Sequence, residues 1–150
     1  MPDVRFEFAA AIPLAVVKRR ATKGELSRVV PEACGTAWNL VKKAQLTNPG
    51  RMIAVYLDCE MNLEIGVEVD GAFPDQGELF SSSTPSGMIA TAAHIGPYDR
   101  LGEAHSAIHQ ACKQQGRDFA GPSWEIYGHW SDDPTKLRTD VCYLLKDETK

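Results

Sequence analysis

Hydrophobic and polar residues alternate along Val4–Phe8, with Val4, Phe6 and Phe8 separated by Arg5 and Glu7. This period of two predicts a strand with one buried face. Leu14–Arg19 reads as a second extended piece. The period then changes. Leu26, Val29, Val30, Ala33, Ala37, Leu40, Val41 and Ala44 recur at helical spacing, behind a Thr22…Glu25 pair spaced as a capping box. Pro31 fits only a first helical turn, so the helix is expected to begin later than Thr22 suggests. Asn48-Pro49-Gly50 ends it. Met52–Leu57 is mostly apolar and predicts a strand buried on both faces. Asn62–Val69 alternates, with Leu63, Ile65, Val67 and Val69 inward and Asn62, Glu64 and Glu68 outward. Gly71 through Gly77 reads as a connector, followed by a polar run at Ser81–Ser83.

The second half replays this order. Met88–Ile95 predicts a strand, and Gly96-Pro97 opens a helix with proline suited to its first turn. Leu101, Ala104, Ile108, Ala111 and Cys112 form its apolar face, and Gly116 is a natural C-terminal cap. Ser123–Trp130 and Thr139–Leu145 are the closing strands, joined through Ser131-Asp132-Asp133-Pro134. A shift of about 71 positions lays Val30 on Leu101, Ala33 on Ala104, Ala37 on Ile108 and Val41 on Cys112. The same frame lays Gly50 on Gly121 and Tyr56 on Tyr127. The expected fold is therefore α+β: two strand–helix–strand–strand repeats, about 1–73 and about 78–147, related by a pseudo-twofold within a single domain spanning 1–150. Antiparallel strands would carry two helices on one face, with a central ligand groove where the halves meet.

Composition narrows the function classes. The chain has 150 residues, 43% hydrophobic and 24% charged, enough to bury a core without staples. A formal charge of −4 argues against direct nucleic-acid binding, and Lys18-Arg19-Arg20 is too short a basic cluster to change that. No apolar run reaches membrane-spanning length, and MPDVRFEF lacks the pattern of a secretion signal. The four cysteines, Cys34, Cys59, Cys112 and Cys142, are scattered, which fits reduced thiols in a cytoplasmic protein. No nucleophilic triad, phosphate loop or nucleotide fingerprint appears, so no cofactor is expected.

The stretch GPSWEIYGHW, residues 121–130, raises a specific question. As a strand it points Trp124, Ile126 and Trp130 one way, and Ser123, Glu125, Tyr127 and His129 the other. A carboxylate in so aromatic a strand is costly unless neutralised or solvated. Three elements now stand together: His94-x-Gly96-Pro97-Tyr98-x-x-Leu101, then Gly121-Pro122-x-x-Glu125-x-Tyr127, then the Asp133-Pro134 turn. In this combination the sequence resembles the GyrI-like small-molecule-binding family, whose domains also serve as effector-binding domains of AraC-type and MerR-type multidrug regulators. The motifs span roughly a third of the chain, and the duplicated order of elements extends the likeness over nearly all of it.

The resemblance implies a pocket at the centre of the pseudo-dimer, lined by aromatics, with Glu125 facing lipophilic and often cationic ligands. One branch of the family opens strained cyclopropane-type electrophiles by hydrolysis. The chain leaves no room for a helix-turn-helix, so a stand-alone form without a DNA-binding domain is expected, and a role in transcription would need a protein partner.

Glu125 then has three readings: a solvated surface charge, a counter-charge for a bound cation, or an acid–base group with Tyr127 as helper. Expected ligand contacts are Glu125, Tyr127, Trp124, Tyr56, Trp38, His129 and Tyr98; Glu125 and Tyr127 are catalytic only if the protein is a hydrolase. Trp124 joins Glu125 only if the strand is bulged, since alternation points it away. His105 and His109, spaced i, i+4, lack an evident third ligand, so no metal site is expected and they read as ordinary helix-face histidines. His94 is expected to fix the strand-to-helix corner. The leading expectation is capture of an amphipathic small molecule, cations included; the alternatives are hydrolysis of a strained electrophile and regulation through a protein partner without ligand.

Overall fold

The computed structural model describes residues 3–46, 48–58, 60–128 and 133–146. The described residues form strands β1 (Val4–Ala9) and β2 (Pro13–Arg20), helix α1 (Leu26–Lys43), and strands β3 (Met52–Tyr56), β4 (Asn62–Glu68), β5 (Phe80–Ser83) and β6 (Gly87–Ile95). Helix α2 (Gly102–Gln115) and strands β7 (Phe119–Tyr127) and β8 (Arg138–Leu145) complete them. The pairings β1/β6, β2/β4, β2/β5, β3/β4, β6/β8 and β7/β8 are all antiparallel, and the fold is α+β. Two compact units emerge: Ala11–Pro85, and Met1–Ala10 together with Ser86–Lys150.

In the unit Ala11–Pro85 the strand order is β3-β4-β2-β5. Ala33, Ala37 and Val41 of α1 are fully buried, as are Leu14 through Val17 of β2 and Ile65 and Val67 of β4. The one-residue-in-four spacing of those helix residues places them on a single stripe, the geometry expected of an amphipathic helix seated on a sheet. Glu25 accepts hydrogen bonds from the backbone N–H and the hydroxyl of Thr22 at 2.9 and 3.0 Å, closing a 3-10 turn, Lys23–Glu25, that leads into α1.

One expectation needs correction here, and one stretch left unassigned by the sequence proves to be a strand. Pro31 lies at the sixth position of α1, not in a first turn. It forfeits one bond near the start of the helix, to the carbonyl of Ser27, and both residues are exposed, so water can serve that carbonyl. The polar run Ser81–Ser83 is part of β5, paired with Pro13–Ala15. This strand follows from backbone pairing along β2 and side-chain bonds, Asp75 to the Ser81 N–H at 2.8 Å and Ser82 to Glu64 at 2.5 Å, which no hydrophobic alternation announces.

The other unit has strand order β7-β8-β6-β1. Ala104, Ile108 and Cys112 of α2 pack with Ala90, Ala92, Val141 and Leu145, and Val4 and Phe6 of β1 close the cluster. Gly116 ends α2 at φ 65°, a left-handed conformation that suits glycine. The buried His94 lies 2.8 Å through Nε2 from the Pro97 carbonyl and ties β6 to the corner before α2.

The units share one topology: a strand, a helix and two further strands, with the third strand in the middle and a fourth beside the first. That fourth strand is exchanged along the chain. β1 precedes β2 in sequence but pairs with β6, whereas β5 precedes β6 but pairs with β2. The helix positions matched by the shift of about 71 residues agree in burial, for Ala33 with Ala104, Ala37 with Ile108 and Val41 with Cys112. Among the described residues no helix is long and apolar enough to cross a membrane.

Candidate functional site

The site grows from the pairing of β7 with β8. Glu125 stands opposite Val141, Tyr127 opposite Thr139 and Ser123 opposite Tyr143. Alternation then turns Glu125, Tyr127, Thr139, Val141 and Tyr143 to one face. Val141 packs there against α2, so this is the face that the helix covers. His105 and His109 lie one position after Ala104 and Ile108, on the flank of the helix's buried stripe.

Glu125 is only 6% exposed, and both of its oxygens are engaged. The Tyr127 hydroxyl donates to Oε1 at 2.6 Å, and His105 Nε2 lies 2.7 Å from Oε2. An ionised carboxylate only accepts, so this contact places the imidazole proton on Nε2. With the ring neutral, Nδ1 accepts from the Tyr143 hydroxyl at 2.6 Å, and the Tyr143 oxygen can accept from His109 Nε2 at 3.3 Å. Burial first, and the charge of Glu125 second, push the Tyr143 hydroxyl up to about 12, so it keeps its proton at neutral pH.

Rings enclose this chain of groups. Tyr98 meets Tyr127 edge-on at 5.9 Å between centroids, and His109 packs on Phe119 at 4.8 Å and on Tyr143 at 5.1 Å. The hydroxyl of Thr139, fully buried on the same face, makes no hydrogen bond among the described residues. A charge held by oriented donors in a site poor in water is felt much more strongly than one in bulk solvent.

The structure thus gathers Glu125, Tyr127 and Tyr98 of the expected contacts. Trp124 is 2% exposed, opposite Cys142 and on the other face from Glu125; the register shift in the β7/β8 pairing falls earlier, between Phe119 and Ser123. Trp38, 37% exposed on α1, and Tyr56, half-buried at the end of β3, belong to the other unit. His129 lies outside the described residues, as do Trp130 and the Ser131-Asp132 part of the turn. Among the described residues no three His, Cys, Asp or Glu side chains converge as a metal site.

His105 is a correction, because it is a direct partner of Glu125 and not an ordinary helix-face histidine. Tyr143 and Thr139 were not anticipated either. The available signal for them was the even spacing of Thr139, Val141 and Tyr143 in the last strand, which puts all three on one face. The repeat adds a contrast. The shift that aligns Tyr56 with Tyr127 sets Ala54 in the place of Glu125 and Cys34 in the place of His105. Ala54 is buried, and burial pushes the Cys34 thiol up to about 11, so those positions of the other unit carry an apolar methyl and an un-ionised thiol.

The likeness to solved structures bears on the fold. The crystal structure of the EcmrR C-terminal domain superposes with a TM-score of 0.79 at 15% identity, covering 99% of each chain. In an EcmrR–DNA complex solved by cryo-electron microscopy the match spans 98% of this chain but 58% of the EcmrR chain. SAV2435 bound to tetraphenylphosphonium gives 0.66 at 12% identity over 96% of this chain and 94% of that one. A hydrolase from Listeria innocua gives 0.62 at 14% identity over 95% and 91%. No curated protein matches the sequence closely enough to count as a relative. The GyrI-like small molecule binding domain matches residues 2–146, nearly the whole length, and the chain belongs to that family.

Proposed function

We propose that this GyrI-like domain captures an amphipathic, cationic small molecule, with the Glu125 carboxylate as its charge partner and Tyr127 and Tyr98 as its aromatic contacts. The observation that carries the reading is the nearly buried carboxylate, held at 2.6 and 2.7 Å by a phenol and an imidazole instead of being left on a solvated face. A partly desolvated carboxylate attracts a delocalised cation far better than an exposed one. Each aromatic face in contact adds on the order of 0.5–2 kcal/mol. SAV2435, of the same fold, was solved with such a cation, tetraphenylphosphonium. We place the capture in the cytoplasm, where the free thiols of Cys34, Cys112 and Cys142 stay reduced.

A second reading is favoured by one feature, the His105–Glu125–Tyr127 constellation. These are the parts of an acid–base pair. Glu125 would take a proton from water as the water oxygen attacks a carbon of a strained, carbonyl-activated cyclopropane. The ring C–C bond would break toward the carbonyl, and Tyr127 would return a proton to the carbon or oxygen that receives the electron pair. The fold neighbour from Listeria innocua described as a hydrolase keeps this reading in view.

One paired experiment separates them. Wild type and Glu125→Gln are incubated with tetraphenylphosphonium and with a cyclopropane-bearing electrophile, following melting temperature and product mass. A shift by the cation without turnover, lost in the variant, supports capture. A product heavier by one water, absent with the variant, supports hydrolysis. Identical behaviour of the two proteins with both compounds would remove Glu125 from either role.

A further inference from the structure

The described part of the network runs on past Glu125, through His105 and Tyr143 to His109 on the exposed flank of α2. We propose that His105 and Tyr143 are positioning residues of this site: the imidazole, clamped between the Glu125 carboxylate and the Tyr143 hydroxyl, holds the carboxylate in place and carries a proton that opposes cation capture, so that binding of a cation expels that proton. This rests on the capture reading and specifies what regulates it.

Charge and hydrogen-bond direction carry the inference. With His105 neutral, its Nε2–H donates to Glu125, Nδ1 accepts from Tyr143, and the pair carries one negative charge for a cation to meet. With His105 protonated, the pair is neutral and Nδ1–H must donate, so the Tyr143 oxygen accepts and its hydroxyl has to turn and donate to another acceptor. His109 Nε2, 3.3 Å from that hydroxyl, is the neighbour able to receive it, provided its ring proton sits on Nδ1. Among the described residues, the groups facing His105 come from three elements: Glu125 from β7 with Tyr127 behind it, Tyr143 from β8, and His109 one turn along α2. The other strands packed in this unit's core offer α2 apolar groups, Ala90 and Ala92 from β6 and Val4 and Phe6 from β1. His94 of β6 is turned to the Pro97 carbonyl.

The sign follows from competition. Where the His105–Glu125 pair holds the extra proton, cation and proton compete for one carboxylate, and affinity falls by up to about tenfold per pH unit as pH falls; where it does not, affinity is level. Calorimetric titration of the full chain with tetraphenylphosphonium between pH 5 and 8.5 reads this directly. The expected result is affinity rising with pH, with a heat of binding that depends on the buffer's ionisation enthalpy because a proton is released. His105→Gln should flatten the profile, and Tyr143→Phe should displace it along the pH axis while the spectrum of a folded protein is kept. Binding that does not change with pH in wild type overturns the proposal.

A second measurement decides the matter without a ligand. In protein labelled with 15N at histidine, His105 at pH 8 should appear as the Nε2–H form, its Nδ1 unprotonated and accepting from Tyr143. The Nδ1–H form overturns the proposal, whether or not the cation binds. Failure of the cation to bind at any pH, with His105 in the Nε2–H form, would instead defeat the capture reading and leave the clamp standing.

Discussion

The hydroxyl of Thr139 is fully buried on β8, opposite Tyr127 in one pairing and His94 in the other, without a hydrogen-bond partner among the described residues. A buried, unsatisfied hydroxyl costs about 1–3 kcal/mol. Thr139→Val keeps the shape and removes that cost, so it should raise stability in chemical denaturation by about 1 kcal/mol. A loss of stability would show that the hydroxyl is satisfied in solution. Alternation alone put Glu125 and Tyr127 on one face and Trp124 on the other, because period two is a property of any strand. The partners of Glu125 were not legible in the same way. His105 is 20 residues away and Tyr143 a further strand away, and which helix flank meets which strand face depends on how α2 seats on β6 and β8. Helical spacing identifies the buried stripe, but not the residue beside it that reaches the sheet.

At the scale of elements, the tightest constraint is Gly66 on β4. A Cβ there would lie 1.8 Å from the carbonyl oxygen of Ala15 on the neighbouring strand β2. Gly66→Ala therefore has to push two paired strands apart, and should cost several kcal/mol, about 3 or more, in a denaturant melt. Gly35, on α1, gives the opposite sign, because an added methyl would meet nothing within 4 Å: Gly35→Ala should stabilise by roughly 0.5–1 kcal/mol. Equal effects of the two changes would contradict the packing described.

The pair Arg51–Glu68 adds a pH dependence. Hydrogen bonds from the Arg51 guanidinium at 3.0 and 3.1 Å hold the Glu68 carboxyl below its ordinary value. A depressed carboxyl contributes stability above its unfolded value and loses it as pH falls through the folded one. Glu68→Gln should accordingly be less stable than wild type at pH 7, with the difference shrinking as denaturation is repeated at progressively lower pH. The same scale shows where the sequence misleads. Proline in a helix and serine in a strand contradict propensity, and both stand because backbone pairing and exposure, not side-chain preference, decide these positions.

For the whole molecule, the notable feature is the exchange of edge strands along a duplicated chain. The repeat was legible because equivalent helix positions must be buried in both units. The exchange was not, since β1 and β5 each sit in sequence next to a strand they do not join. Deleting residues 1–10 should strip β6 of its outer partner and Val4 and Phe6 from the α2 core. Hydrogen exchange should then quicken in β6 and α2 well before β2 and β4; uniform quickening would argue against the assignment of β1 to that unit.

The duplication also sets the proposed site apart, for only one unit carries the glutamate and histidine that the other replaces with Ala54 and Cys34. The most direct test of that claim is the affinity of tetraphenylphosphonium at pH 8 for wild type, Glu125→Gln and Ala54→Gly. Capture through Glu125 predicts binding that weakens at least about tenfold in Glu125→Gln. Ala54→Gly, matched in position in the other unit, should leave it little changed. Equal affinity of wild type and Glu125→Gln would contradict the account.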